Sequence, residues 1–265
     1  MFWQRAIVTF TLGPLAIVLI YLGGWYYFLP LLLIMLVATF EYLHILQKMG
    51  RRLSAWVLFP AVFLLLLSGQ WFQPDFMAPA LLVSFIMASC YALFLYEYRP
   101  GHGAALDWAA MVAGIILLGW LGSHFFRVRQ LPEMAWQWTM VAMVGTWVAD
   151  SAAYVFGKRF GRRKLAPRLS PNKTVEGYFG SFVVGSLTVI LLGLYLKLAL
   201  GPLIGLALLL TILGTAGDLS ISLLKREAGV KDSGNLLPGH GGALDRIDSL
   251  VWAVAITYYW VLFTS

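Results

Sequence analysis

"LPGHGGALDRIDSLVWAVAITYYWVLF", residues 237–263, joins two kinds of sequence that seldom meet. From Leu244 onward it is an apolar run of membrane-spanning length. Before and across that point it is rich in glycine, and Asp245, Arg246 and Asp248 crowd the start of the run. The second half of this stretch decides the fold, because runs like it recur from one end of the chain to the other.

The 265 residues are 60% hydrophobic and only 12% charged, about half the usual charged share. That composition excludes a soluble domain. A backbone in hydrocarbon must satisfy its own hydrogen bonds, so apolar runs of this length mean helices. The expected fold is an all-α integral membrane protein with nine spans, near 6–24, 26–46, 54–71, 76–97, 105–125, 136–157, 178–199, 202–224 and 244–263. The first run leads straight into the second with no small-residue cleavage site, so it reads as a span and not as a cleavable leader. The lone Cys90 precludes an intrachain disulfide or a thiolate zinc site, and four scattered histidines have no metal-ligand spacing.

Basic residues orient the spans. With the N-terminus inside, 16 of the 19 Lys and Arg residues fall on the inner side; Arg127, Arg129 and Lys197 fall outside. The expectation is a cytoplasmic N-terminus, an outer C-terminus and a polar site on the cytoplasmic side of the membrane. The net charge of +7 is mostly this topology signal. It points to anionic lipid as a neighbour and away from nucleic acid. Residues 1–265 read as one polytopic domain, with 1–135 mainly scaffold and 136–265 carrying the site.

An ionised side chain at mid-span costs roughly 3 kcal/mol or more, so it needs a partner, a cavity or a purpose. In the eighth span Asp218, Ser222 and Lys225 fall at i, i+4 and i+7, within a wedge of about 60° on one helix face. Asp245 and Asp248 share a face of the ninth span at i, i+3. If these two helices are neighbours, three carboxylates converge. Carboxylates without thiolate or imidazole favour a hard cation, Mg²⁺ first, which completes its shell with water and substrate phosphates. Spacing alone leaves a second reading open, in which Asp245–Arg246 and Asp218–Lys225 are helix-end ion pairs.

The loop "KREAGVKDSGNLLPGHGG", 225–242, adds cations at Lys225, Arg226 and Lys231 and glycines whose amides can face an anion. It is not a P-loop, and neither is "GKRFGRRK". In "SPNKT", 170–174, Ser170 reads as an N-cap with Pro171 at the first helical position, so that Lys173 would sit at a phosphate-binding helix start. Asp150, with Tyr154 one turn on, is placed to face the same cavity, or else to pair with Lys158 or Arg159. "PGHGAALD", 100–107, nearly duplicates "PGHGGALD", 238–245. Its Asp107 lacks the Arg and Asp that follow Asp245, so the echo reads as shared loop-to-helix geometry without chemistry.

The stretch "SLLKREAGVKDSGNLLPGHGGALDRID", 222–248, resembles the signature of the phosphatidate cytidylyltransferases (CDP-diacylglycerol synthases), and "DSAAYVFGKRFGRRKLAPRLSPNKTVEG", 150–177, resembles that family's other recognisable segment. One departure is Ala243, where the family usually carries a larger aliphatic residue. The resemblance implies transfer of CMP from CTP to phosphatidate, giving CDP-diacylglycerol and pyrophosphate, at a cavity open to the cytoplasm and to lipid. It implies Mg²⁺ held by Asp218, Asp245 and Asp248, with room for a second, monovalent cation such as K⁺. Lys225, Arg226, Asp245 and Asp248 are the expected catalytic residues. Ser170, Asn172, Lys173, Ser222, Lys231, Asp232, His240 and Arg246 are expected to bind substrate or order the loop. A homodimer is left open. Competing readings are another CTP-dependent lipid enzyme (a prenyl-alcohol kinase or a CDP-ether-lipid synthase), an inactive lipid-binding paralogue, and an ion-coupled transporter; the transporter would need a repeated half that this sequence lacks.

Overall fold

A computed structural model describes residues 2–71, 76–99, 103–234 and 241–264, with side chains from Thr11 onward. Nine helices occur among them: α1 (Phe2–Leu22), α2 (Gly24–Lys48), α3 (Ala55–Trp71), α4 (Met77–Tyr98), α5 (Ala104–Gln130), α6 (Ala135–Phe160), α7 (Val175–Tyr195), α8 (Leu200–Glu227) and α9 (Leu244–Thr264). Seven are long and apolar enough to cross a membrane. The exceptions are α3, at 17 residues, and α1, whose apolar stretch is Thr11–Leu22. At 1.5 Å per residue α3 is about 26 Å long, near the lower limit for a span. Exposed apolar side chains such as Leu33, Leu93 and Phe179 are what a lipid-facing surface requires. The chain is an integral membrane protein.

The nine helices among the described residues bear out the all-α class, and one local reading is corrected. Between α6 and α7 the chain forms an antiparallel hairpin, β1 (Lys164–Ala166) against β2 (Ser170–Thr174), with Lys164 opposite Thr174 and Ala166 opposite Ser170. Ser170 is therefore not an N-cap, and Pro171 does not begin a helix. Thr174 caps α7 instead: its Oγ1 accepts from Gly177 N at 3.1 Å, and its φ and ψ of −124° and 155° are extended. An N-cap residue and a strand residue share that backbone conformation, and the residue before a proline is pushed into it either way. Pairing with residues 164–166 decided between them.

The chain forms two compact units. The first gathers Met1–Gly13, Gly24–Arg127 and Leu224–Arg246; the second gathers Pro14–Gly23, Val128–Leu223 and Ile247–Ser265. Helices α8 and α9 thus each pass from one unit to the other. Within the first unit Met35, Leu58, Leu65 and Ile115 are fully buried. Buried hydroxyls join α2 to α5: Tyr27 donates to the Phe125 carbonyl at 3.0 Å, and Tyr42 to the Ala110 carbonyl at 2.7 Å. In lipid, helix association rests on packing and such hydrogen bonds, since the tails are as apolar as leucine.

The second unit is built on the antiparallel pair α6 and α7, with a core that includes Val141, Val189, Leu203, Leu206 and Ala253. Ser186 of α7 and Thr211 of α8 share a hydrogen bond at 3.3 Å. Helices α8 and α9 touch directly. Trp260 Nε1 donates to the Pro202 carbonyl at 2.8 Å, and a Cβ at Gly217 would stand 2.6 Å from Trp252 Cδ1 and 3.0 Å from the Asp248 carbonyl oxygen. The adjacency of the last two helices, on which the convergence of acids depends, is present.

Candidate functional site

Within the first unit the polar signature folds around two acids. Asp245 lies in the first turn of α9. Its Oδ1 accepts from Lys225 Nζ at 2.6 Å, in an ion pair whose side chains are 9% and 7% exposed for lysine and aspartate. Its Oδ2 accepts from Ser233 N at 2.8 Å, Ser233 Oγ at 3.0 Å and Gly242 N at 3.0 Å. A helix N-terminus favours an anion, and here the anion also gathers the loop that leads into the helix. Lys225 pairs with Asp245 and not with Asp218, so the Asp218–Lys225 helix-end pair considered from spacing is not formed.

The other acid is Glu41 of α2, which is 6% exposed. Its Oε1 accepts from Ala243 N at 3.0 Å; its Oε2 accepts from Leu244 N at 2.8 Å and Ser233 Oγ at 2.7 Å. Ala243 has no side-chain acceptor, so the start of α9 takes its cap from a residue about 200 positions away. Two glycines are required here. Gly241 has φ +79°, and any Cβ at Gly242 would collide with both Glu41 oxygens and with Ser233 Oγ. The sequence reading missed Glu41 and Ser233. The available signal was that Glu41 is the one carboxylate in an otherwise apolar span.

Around these two acids, Arg226 is exposed and its Nη1 donates to the Val230 carbonyl at 3.2 Å, closing the end of α8. Lys231, Asp232 and Arg246 are exposed. His240, and His102 of the duplicated loop, lie outside the described residues. In that duplicate, Asp107 opens α5 and meets Arg51 at 3.6 Å, an arginine where Asp245 has a lysine.

Within the second unit, Lys173 of β2 forms an ion pair with Asp218 of α8. The hairpin that carries Lys173 is fastened to α7: Glu176 Oε2 accepts from Arg162 N at 2.9 Å, both Glu176 oxygens accept from Arg163 N at 3.2 Å, and Val175 N donates to the Arg163 carbonyl at 2.9 Å. Ser170 is half-buried and Asn172 exposed beside it. Ser222 of α8 is buried. Asp248 is half-buried and its Oδ1 accepts from Ser249 N at 2.8 Å. The Ser249 hydroxyl donates to Asp150 Oδ2 at 3.2 Å, so Asp150 of α6 is tied to α9. Tyr154, expected beside Asp150 in the cavity, faces outward instead: it is 64% exposed and carries Lys158 over its ring at 5.9 Å.

Among the described residues no group of three or more His, Cys, Asp or Glu already stands together as a metal site. Asp218 and Asp248 in the second unit and Asp245 in the first carry carboxylates, the donor type a hard divalent ion takes, and Asp218 and Asp245 already hold lysine ammonium groups.

Seven apolar helices of membrane-crossing length among the described residues, with the Lys173–Asp218 and Lys225–Asp245 pairs in the polar segments, define a polytopic membrane protein. Comparison with known proteins narrows this. The Cytidylyltransferase family profile matches residues 3–264. The chain is 33% identical to a phosphatidate cytidylyltransferase of Synechocystis sp. over 97% of its own length and 96% of that protein's. It is 34% identical to the Brucella melitensis phosphatidate cytidylyltransferase over 96% of this chain and 91% of that one. It is 42% identical to that of Bacillus subtilis across 54% of each. The chain belongs to the cytidylyltransferase family.

Proposed function

We propose that this protein is a phosphatidate cytidylyltransferase of a bacterial inner membrane, with nine spans, a cytoplasmic N-terminus and its polar site at the cytoplasmic face. A phosphatidate oxygen attacks the α-phosphorus of CTP, the bond from that phosphorus to the bridging oxygen of the β-phosphate breaks, and pyrophosphate leaves with the electron pair. The acceptor is already a largely ionised phosphate, so no strong base is required. The work lies in aligning two polyanions and neutralising their charge. Asp218, Asp245 and Asp248 would hold Mg²⁺, which supplies charge neutralisation across the phosphates when bound. A monovalent companion such as K⁺ is compatible with the same oxygens.

Lys225, Arg226 and Ser222 bind phosphate oxygens of the two substrates. Lys173, delivered by the hairpin with Ser170 and Asn172, closes the site and exchanges its carboxylate for a phosphate when CTP enters. Lys231, Asp232, His240 and Arg246 order the loop around pyrophosphate. The observation that carries this reading is the pair of lysine–aspartate contacts, Lys173–Asp218 and Lys225–Asp245, formed by the motif residues themselves.

Purified protein is tested with CTP labelled at the α- or the γ-phosphate and with phosphatidate, prenyl alcohol and ether-lipid acceptors. The expected result is α-label in lipid and γ-label in pyrophosphate, only with phosphatidate and Mg²⁺, and neither with Asp245→Asn. γ-Label in the lipid would make the protein a kinase and overturn the proposal.

A further inference from the structure

Glu41 lies outside both family-like segments, 150–177 and 222–248, yet it is the group that Ser233 and the first amides of α9 converge on. Its carboxylate receives three hydrogen bonds, all from the segment that ends in Asp245: Ala243 N at 3.0 Å, Leu244 N at 2.8 Å and Ser233 Oγ at 2.7 Å. The Ser233 hydroxyl also reaches Asp245 Oδ2 at 3.0 Å. One hydroxyl carries one proton, so that proton is shared between the two carboxylates. The Ser233 amide and Gly242 amide, both on the same oxygen of Asp245, complete the ring. A Cβ at Gly234 would also meet the Glu41 carboxylate, so the loop wraps the acid from both ends of its described part.

A carboxylate this deeply buried is expensive unless each of its oxygens is satisfied. Such an acid held by fixed backbone amides has little freedom, and it passes that rigidity to what it holds. A capping side chain within the loop would tie α9 to its own neighbours in sequence. Glu41 ties the start of α9 to α2, a helix of the scaffold region.

We propose that Glu41 is a positioning residue for nucleotidyl transfer. It fixes the first turn of α9 and the Ser233 hydroxyl, and through them the orientation of Asp245. The catalytic half of this inference rests on the cytidylyltransferase reading; the anchoring half rests on geometry alone. Glu41 acts through the protein groups that donate to it.

The test uses the full-length protein in detergent and three variants: Glu41→Gln, Ser233→Ala and the double variant. Glutamine keeps the shape and one acceptor oxygen but presents an NH₂ toward an N–H donor. Hydrogen–deuterium exchange of the peptide covering 241–250 should rise at least about tenfold in Glu41→Gln, with other helices unchanged. Turnover per folded molecule should fall by about tenfold or more, with the KM for phosphatidate held and the Mg²⁺ requirement raised. A raised Mg²⁺ requirement at an unchanged KM for phosphatidate is the readout that a purely structural role would not produce. The double variant should lose less than the product of the single losses, because both act through Asp245.

Unchanged exchange over 241–250 would overturn the proposal, as would full turnover and unaltered Mg²⁺ dependence in Glu41→Gln. If Glu41→Gln cannot be folded, Ser233→Ala carries the same two measurements. Wild-type protein that transfers no CMP would sink the cytidylyltransferase reading and the catalytic half with it, while the exchange arm still decides the anchoring.

Discussion

Replacing Lys225 with methionine tests the geometry of the signature at its most buried contact. Lys225 Nζ lies 2.6 Å from Asp245 Oδ1, with both side chains under a tenth exposed. Removing one partner of a buried ion pair costs about 3–5 kcal/mol, because the remaining charge is left without compensation. Three donors stay on the other oxygen of Asp245 and support the anion, so the lower end, about 3 kcal/mol, is expected for Lys225→Met. Asp245→Asn strands the buried ammonium and turns an NH₂ toward the Ser233 or Gly242 amide, for about 4 kcal/mol. Both charges disappear together in the double variant. It should therefore cost less than the sum of the two, by about 2 kcal/mol. Unfolding by SDS in mixed micelles, read by tryptophan fluorescence, measures all three. Single losses that simply add, to within about 0.5 kcal/mol, would refute the pairing and the loop geometry built on it.

Three further outcomes follow from the same contacts. Lys173→Met should raise the KM for CTP by about tenfold, the worth of a charge-assisted phosphate contact; steady-state kinetics over a CTP and Mg²⁺ grid reads it, and an unchanged KM would remove Lys173 from the site. Gly242→Ala should abolish turnover and destabilise by about 2–3 kcal/mol, since the new methyl overlaps both Glu41 oxygens and Ser233 Oγ; the SDS titration and the CMP-transfer assay check it, and wild-type values in both would contradict the close approach. Thr174→Ala removes the cap on Gly177 N and should cost about 1 kcal/mol, with faster proteolytic nicking of residues 158–174; a cut rate equal to wild type would mean that the Glu176 and Val175 contacts hold the hairpin without the cap.

Part of this protein was readable in the order of its residues. Apolar runs must become helices in hydrocarbon, so the helices could be placed within a few residues wherever a run was long and clean. The aspartate and lysine positions of the signature were readable too, because an ionisable group near a span needs a reason to be there. Pairing was not. Asp218 could have taken Lys225, seven residues on along its own helix, and takes Lys173 of the hairpin instead; Lys225 takes Asp245, twenty residues away. Ser170 and Pro171 fit a helix cap and a strand equally well, and only the strand at 164–166 chose. Glu41 was visible as an acid in a span, but its purpose lies some 200 residues further along the chain. Helix formation is decided by neighbours in sequence and by the solvent around them. The partner of a charge is decided by what the fold brings within about 3 Å of it, and that is a property of tertiary structure alone.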